Sequence, residues 1–230
     1  MKDYDEVTGE LEEQWNWRID ELVKLKNTYN SVDNCSKLVI RKTQILLLYS
    51  HFEGYVKFAF LYYILTINND NIQIKQLNHH LRTVAMHNVF QEYSNLNRKG
   101  RYFTKDFPED NKLKIYSRRL DFMECFHNFL DEVAEIPEEV IDTESNLKPE
   151  VLNKILFQLG FSLDICQQYR GDIQRLLNYR NSIAHGSQTS DISQFPYEKI
   201  EKSVELIIGA VRELIRDSLF ESTYLLSLTK

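Results

Sequence analysis

The chain of 230 residues is long enough to bury a sizeable core, as one large domain or two small ones. Its seven glycines and four prolines are too few for the frequent turns of a strand-rich protein, so long helices are expected. The net charge of −6 argues against a protein that coats nucleic acid indiscriminately, because such binding depends on neutralising phosphates, but it leaves room for a small basic site.

Hydrophobic residues recur at helical spacing through almost the whole chain, without strand-like alternation or an internal repeat. The predicted fold class is therefore all-α, a helical bundle with an unusually long second helix. Asp33 and Asn34 are suitable N-caps for that helix, and the last helix is expected to begin near Pro196, which suits the first helical position. Helices are predicted over residues 6–29, 35–67, 73–94, 111–132, 150–166 and 172–184, and from about 196 to 215.

Residues 45–65 of the long second helix are apolar enough to resemble a membrane span. His51, Glu53 and Lys57 lie at its middle, however. A charged residue at that depth costs roughly 2.5–3.5 kcal/mol. We therefore expect a helix buried in protein, and no membrane partner.

The region 97–149 is rich in charge and loop-forming residues. We predict that it is an insertion of helix and loop within a single domain that spans residues 1–230. A basic cluster occupies its start, at Arg98, Lys99, Arg101 and Lys105. This cluster is either a solvated loop or a phosphate-contacting one, and the sequence leaves both open.

The three cysteines, Cys35, Cys125 and Cys166, lie far apart and form no Cys-x-x-Cys pair. This usage argues against a disulfide framework or a zinc knuckle and favours a reducing cytoplasm. The first residues lack the basic and apolar regions of a secretory signal, so none is expected.

Signals for a metal or a bound cofactor are weak. His79 and His80 are adjacent and would point about 100° apart on a helix, and His87 is too distant for the i, i+4 spacing of metal-binding histidines. No phosphate-binding glycine motif occurs, and Ser182 lies in no nucleophile elbow. We expect neither a metal site nor a cofactor.

The most informative stretch is "IQRLLNYRNSIAHGS", residues 173–187. A helix here would place an arginine on its apolar stripe, formed by Ile173, Leu176, Leu177, Arg180 and Ala184. A buried guanidinium without a partner costs several kcal/mol, so this position implies an acidic partner or an interface open to an anion. His185 and Gly186 follow as expected for a helix end, with glycine in the left-handed cap.

Arginine presents a planar fork of donors suited to phosphate, and histidine transfers protons near neutral pH. Together they meet the needs of RNA cleavage by its own 2′-hydroxyl group. Five residues along a helix separate Arg180 from His185 by about 140° and about 7.5 Å, so one chain would bring them together poorly. Two such helices packed about a two-fold axis would bring both pairs into one cleft.

The stretch Arg180–Asn181–Ser182–Ile183–Ala184–His185 resembles the R-x4-H motif of the HEPN superfamily. The apolar helix with "LLLYSHFEGYVK", residues 46–57, looks like the second helix of its RiboL-PSP-like branch, with Glu53 as the acidic residue. The resemblance covers roughly residues 35–67 and 165–215.

This resemblance implies a helical bundle that forms a homodimer through its motif-bearing helices. It also implies a metal-independent endoribonuclease that acts on single-stranded RNA or tRNA, as a toxin with a cognate antitoxin or in anti-phage defence. Catalytically silent HEPN proteins bind RNA or other proteins, and such a module is the alternative.

The resemblance assigns catalysis to Arg180 and His185. Arg180 would hold the scissile phosphate, and His185 would act as general base or general acid. Asn181 would orient the imidazole or touch RNA. Glu53 would position Arg180 or pair with Lys57, and both remain open.

Overall fold

The computed structural model describes residues 4–98, 101–103, 109–187 and 192–226. Within these residues the fold is all-α, as the sequence predicts, and contains no β-strand. Three short 3-10 helices occur, at Ile74–Gln76, Glu138–Val140 and Leu163–Tyr169. The eight α-helices are α1 (Tyr4–Ser31), α2 (Asn34–Asn69), α3 (His79–Ala85), α4 (His87–Ser94), α5 (Asn111–Asp131), α6 (Pro149–Leu159), α7 (Arg170–Ala184) and α8 (Gln194–Glu221).

Helix α2 is the central element of the bundle, and α1, α7 and α8 pack around it. Asp33 begins the helix as predicted, since its carboxylate accepts hydrogen bonds from the backbone N–H groups of Cys35 and Ser36 at 2.7 and 3.0 Å. The apolar stretch 45–65 is covered by protein, with its aromatic side chains in the core. None of the described helices is long and apolar enough to cross a membrane.

Helix α8 runs parallel to α2, and α1 runs antiparallel to it. The amide of Gln194 accepts a hydrogen bond from Arg41 near the start of both α8 and α2, and the hydroxyls of Tyr63 and Ser218 meet at 3.0 Å near their ends. On the α1 side, the hydroxyl of Tyr55 donates to the carbonyl of Leu11 at 3.1 Å. These buried contacts fix the register of the three long helices.

The predicted third helix, 73–94, is wrong as a continuous element, because the chain breaks at two places. Asn78 begins α3 by accepting the Leu81 N–H at 3.0 Å, while its own N–H donates to the Tyr224 carbonyl at 2.8 Å. Met86 then ends α3 and begins α4. An asparagine side chain can accept a hydrogen bond from the backbone at the start of a helix, which favours a new helix over continuation of the preceding segment. Asn78 does so here.

The predicted helix 150–166 ends early, at Leu159. Gly160 takes φ +81°, the left-handed conformation that closes a helix, and its N–H donates to the carbonyls of Leu156 and Phe157. A 3-10 helix then leads into α7, which starts at Arg170. Helix α8 begins at Gln194, two residues before the proline expected at its first turn.

Within the region 97–149, α5 and the segment after it differ in burial. Helix α5 packs on α4 and on the turn Ile74–Gln76 and buries only four side chains, three of them polar or charged. Residues 133–148, in contrast, supply core side chains, namely Ala134, Ile136, Ile141 and Leu147. Of the predicted basic cluster, Arg98 pairs with Glu92 at 3.2 Å and Arg101 with Asp121 at 3.4 Å; Lys99 and Lys105 lie outside the described residues.

Candidate functional site

Helix α7 reaches from α8 at its start to α2 near its end. The buried carboxylate of Asp172 accepts a hydrogen bond from Ser203 of α8 at 2.9 Å and pairs with Arg175 at 2.7 Å. Eight residues later, the guanidinium of Arg180 lies over the ring of Tyr49 of α2, 5.0 Å from its centroid. Between these points Ile173, Leu176 and Leu177 are buried as predicted. Both helices therefore set the position of the helix end.

Arg180 is half-buried and has no carboxylate within 4.0 Å among the described residues. Its Nη1 donates to the Oδ1 of the neighbouring Asn181 at 2.9 Å. The guanidinium has five N–H donors, so most of them stay available. Of the two expectations for an arginine on the apolar stripe, an acidic partner or an open interface, the described residues supply no acidic partner.

Tyr49 supports Arg180 from below. Its side chain is buried, and its hydroxyl accepts a hydrogen bond from the Leu147 N–H at 2.8 Å. Burial raises the pKa of Tyr49 to about 12, the negative charge of Glu53 adds to the rise, and the positive charge of Arg180 opposes it. The charges of Glu53 on α2 and Arg180 on α7 therefore both affect the pKa of Tyr49.

Glu53 lies one turn beyond Tyr49 on α2 and is half-buried. Neither of its two predicted ion pairs, with Arg180 or with Lys57, is closer than 4.0 Å in the described part of the chain. Its negative charge instead adds to the rise in the pKa of Tyr49 that burial causes. Glu53 and Arg180 therefore both act on the Tyr49 hydroxyl, with opposite signs.

His185 is exposed at the C-cap of α7. The next residue, Gly186, takes φ +72° and donates its N–H to the Ile183 carbonyl at 3.0 Å, while the Ser187 N–H donates to Ser182 at 2.9 Å. This is a Schellman motif, which glycine favours, so the predicted helix end is present. The imidazole has no hydrogen-bond partner among the described residues, so its ring nitrogens are open to a ligand.

Of the predicted site residues, Asn181 contacts Arg180 directly, Glu53 lies one turn along α2 from the Tyr49 ring that Arg180 contacts, and no contact between His185 and Arg180 occurs among the described residues. The side chain of Asn181 bonds to Arg180, and only its backbone carbonyl meets His185, accepting the backbone N–H at 2.9 Å. No group of three or more metal-ligating side chains occurs among the described residues. Helix geometry alone turns the two side chains about 140° from each other, as the sequence predicts.

Two supporting residues were missed by sequence reasoning. Tyr49 stands four residues before Glu53 on α2, a spacing that places both on one face and could have revealed it. Asp172 opens α7 in a position that suits a helix-dipole carboxylate, but its role as the anchor to Ser203 depends on a contact 31 residues away.

A cavity beside three of the histidines is separate from this site. It has a volume of about 760 Å³, and none of its lining residues belongs to α2 or α7. His79, His80 and His87 line it, and the His80 ring packs edge-on against Phe157 at 5.2 Å.

An all-α bundle whose motif helix ends in an open arginine and an exposed histidine defines a HEPN-like protein. The sequence profile of the HEPN_MAE_28990-like HEPN family matches residues 7–224. The chain belongs to this family, and the predicted superfamily is confirmed. The finer RiboL-PSP-like branch stays a prediction. Comparisons with curated proteins and with solved structures gave no match.

Proposed function

We propose that this protein is a metal-independent endoribonuclease that cleaves single-stranded RNA or tRNA and leaves a 2′,3′-cyclic phosphate. HEPN domains commonly bind RNA, dimerise and have endoribonuclease activity. The observation that carries the proposal is the half-buried Arg180 guanidinium, which has no carboxylate partner and stands on the helix that ends in an exposed imidazole.

The reaction needs a base, an acid and a stabiliser of negative charge. The 2′-oxygen attacks the phosphorus as its proton passes to a base, and the 5′-oxygen leaves with a proton from an acid. Arg180 binds the phosphate oxygens and stabilises the charge that builds up on them. His185 supplies one of the two proton transfers. The proposed mechanism uses no protein nucleophile and no metal.

We place the site between two copies of the chain. Arg180 and His185 are five residues apart on α7, which turns their side chains about 140° from each other. A two-fold axis beside the ends of two α7 helices would set the arginine of one copy against the histidine of the other. The homodimer is thus part of the active site in this proposal.

The remaining site residues act through Arg180. Asn181 limits the rotation of the guanidinium by accepting its Nη1–H, and it is close enough to the phosphate site to contact RNA. The Tyr49 ring lies under Arg180, and Glu53 lies one turn further along α2. These residues orient the charge that binds phosphate.

We propose a toxin in a toxin–antitoxin pair, or an anti-phage defence nuclease, as the biological role. A cytoplasmic location follows from an RNA substrate, and a cognate antitoxin would be the second protein partner. Repressible expression tests this role. The wild-type chain should arrest growth, whereas Arg180→Ala and His185→Ala should be tolerated.

Cleavage of labelled single-stranded RNA in EDTA tests the chemistry. General acid–base assistance contributes about 10²–10⁴-fold, so His185→Ala should lose kcat/KM on that scale. A loss of only a few-fold would show that His185 serves as a helix cap and takes no part in the proton transfers. Activity that returns only with a divalent metal would contradict the metal-free mechanism.

The growth assay and the cleavage assay also distinguish the nuclease from the alternative, a catalytically silent module. If wild type and both variants are equally tolerated and none cleaves RNA, the chain is a catalytically silent HEPN module that binds RNA or a protein.

A further inference from the structure

The first half of α5 is the most basic part of the described chain. Residues 111–119 include four basic side chains and no acidic one, so they carry +4 while the other 221 residues together carry −10. Two of these residues, Lys112 and Lys114, lie in the first turn, where a cation opposes the helix dipole at a cost of about 0.3–1 kcal/mol each. This placement lowers the stability of the helix, and residues that do so often serve a function such as binding.

One stripe of this helix presents both charge and apolar surface to solvent. Its members recur at i, i+4, i+7 and i+11, which keeps them within about 60° of one another along about 16 Å. Tyr116 is 65% and Met123 64% exposed. Lys112 and Arg119 are exposed, and neither forms an ion pair with another described residue. We call the four residues, Lys112, Tyr116, Arg119 and Met123, the α5 stripe.

A groove of about 650 Å³ lies beside the stripe, between α5 and α4. Its walls are mainly apolar and aromatic, and Arg119 and Met123 of the stripe form part of its rim. The Phe122 ring at its base lies 6.0 Å from Phe90 and 5.5 Å from Tyr93. Helix α4 has no fully buried residue, so this aromatic cluster stays accessible.

We propose that the α5 stripe and its groove form a binding surface for single-stranded RNA. Lys112 and Arg119 would contact phosphates, and bases would stack on Tyr116 and enter the groove. Aromatic platforms beside a basic track are the general means of holding unpaired nucleotides. The exposed cations Lys112 and Arg119 complement a polyanion, and they alternate along the stripe with the exposed Tyr116 and Met123, as phosphates alternate with bases along an unpaired strand.

This surface is distinct from the Arg180 site. Helix α5 packs on α4 and on the turn that follows α2, whereas Arg180 contacts Tyr49, 20 residues before the last residue of α2, Asn69. The distance from Tyr49 to the end of α2 is about 30 Å along the helix axis, and no residue lining the α5 groove belongs to α2 or α7. A role in guiding substrate rests on the proposed ribonuclease activity, but RNA binding at α5 does not.

The test measures binding of a labelled single-stranded RNA of about 20 nucleotides, which exceeds one typical single-strand site. Fluorescence anisotropy is recorded against salt concentration in the His185→Ala background, so that cleavage cannot interfere. Each lost phosphate contact lowers the slope of log K against log salt by about 0.7, so Lys112→Gln/Arg119→Gln should lower it by about 1.4. Loss of base stacking in Tyr116→Ala should weaken binding between about fivefold and about 150-fold.

The matched control is Lys24→Gln/Lys202→Gln, which removes two exposed lysines from α1 and α8 and should leave both slope and affinity unchanged. Equal weakening by the control pair, or no RNA binding at all, would overturn the proposal. A stripe variant that alters the oligomeric state and leaves RNA binding intact would show that the groove holds a second copy instead. Wild-type protein that binds the RNA through the stripe but does not cleave it would count against the proposed nuclease activity alone.

Discussion

Arg180 rests against an aromatic ring where an arginine on an apolar stripe would more often meet a carboxylate. A cation over an aromatic face gains about 0.5–1 kcal/mol at an exposed site, less than a desolvated ion pair would. The ring therefore positions the guanidinium without neutralising it. The positive charge of Arg180 therefore stays available to bind a phosphate.

Tyr49 gives the first prediction at this scale. Tyr49→Phe keeps the ring under Arg180 but leaves the buried Leu147 N–H without an acceptor, which should lower the free energy of unfolding by about 1–3 kcal/mol. Cleavage should stay within about tenfold of wild type. Denaturant unfolding and kcat/KM measure the two effects.

Tyr49→Leu is the matched comparison, because it removes the ring as well. It should reduce kcat/KM further than Tyr49→Phe does, since Arg180 loses its support. If Tyr49→Phe abolished cleavage without loss of stability, the hydroxyl would take part in the chemistry and the assigned role would be wrong.

The position of Arg180 was predictable from spacing alone, because the stripe from Ile173 to Ala184 is local. Its contact with the Tyr49 ring was not predictable. Tyr49 and Arg180 are 131 residues apart, and periodicity along one helix says nothing about which residue of another helix lies opposite. The sequence named two possible partners for Glu53, Arg180 and Lys57, and neither ion pair forms among the described residues, whereas Arg180 contacts the Tyr49 ring.

At the scale of elements, the long amphipathic helices were predicted to within two or three residues at most ends. Errors came where a local polar group or a glycine ended a helix. Asn78 and Gly160 are examples, since both stop an apolar pattern that continues past them. Hydrophobic periodicity does not register a cap that is completed by a distant backbone group such as the Tyr224 carbonyl.

The packing of α1 on α2 gives a pH-dependent prediction. His51 of α2 is buried against Trp17, with its Nε2 3.0 Å from the carboxylate of Glu21. Burial and the charge of Arg18 lower the pKa of His51, and Glu21 opposes them. The unfolded chain, with an ordinary pKa near 6.5, therefore binds this proton first, so stability is lost as pH falls below about 6.5.

Unfolding midpoints at about pH 7.5 and pH 5.5 check this expectation. Wild type should lose more stability between the two pH values than His51→Gln, which keeps a polar side chain that does not titrate in this range. Equal losses would show that the α1–α2 contact is not the pH-sensitive element.

At the scale of the whole molecule, charge and core are separated. The core runs through α1, α2, α6, α7 and α8, whereas α5 carries basic and aromatic surface on its outer face. Composition predicted an all-α chain and a region 97–149 unlike the rest. It did not predict that residues 133–148 return to the core, because their apolar residues are too scattered to show a period.

The shared site is the central claim, and a mixed dimer tests it most directly. Arg180→Ala and His185→Ala chains, each inactive alone, are co-expressed with different tags and purified as a heterodimer. That dimer keeps one complete pair, the arginine of one copy with the histidine of the other, so about half of the wild-type RNA cleavage should return. A heterodimer that forms and stays inactive would contradict the account.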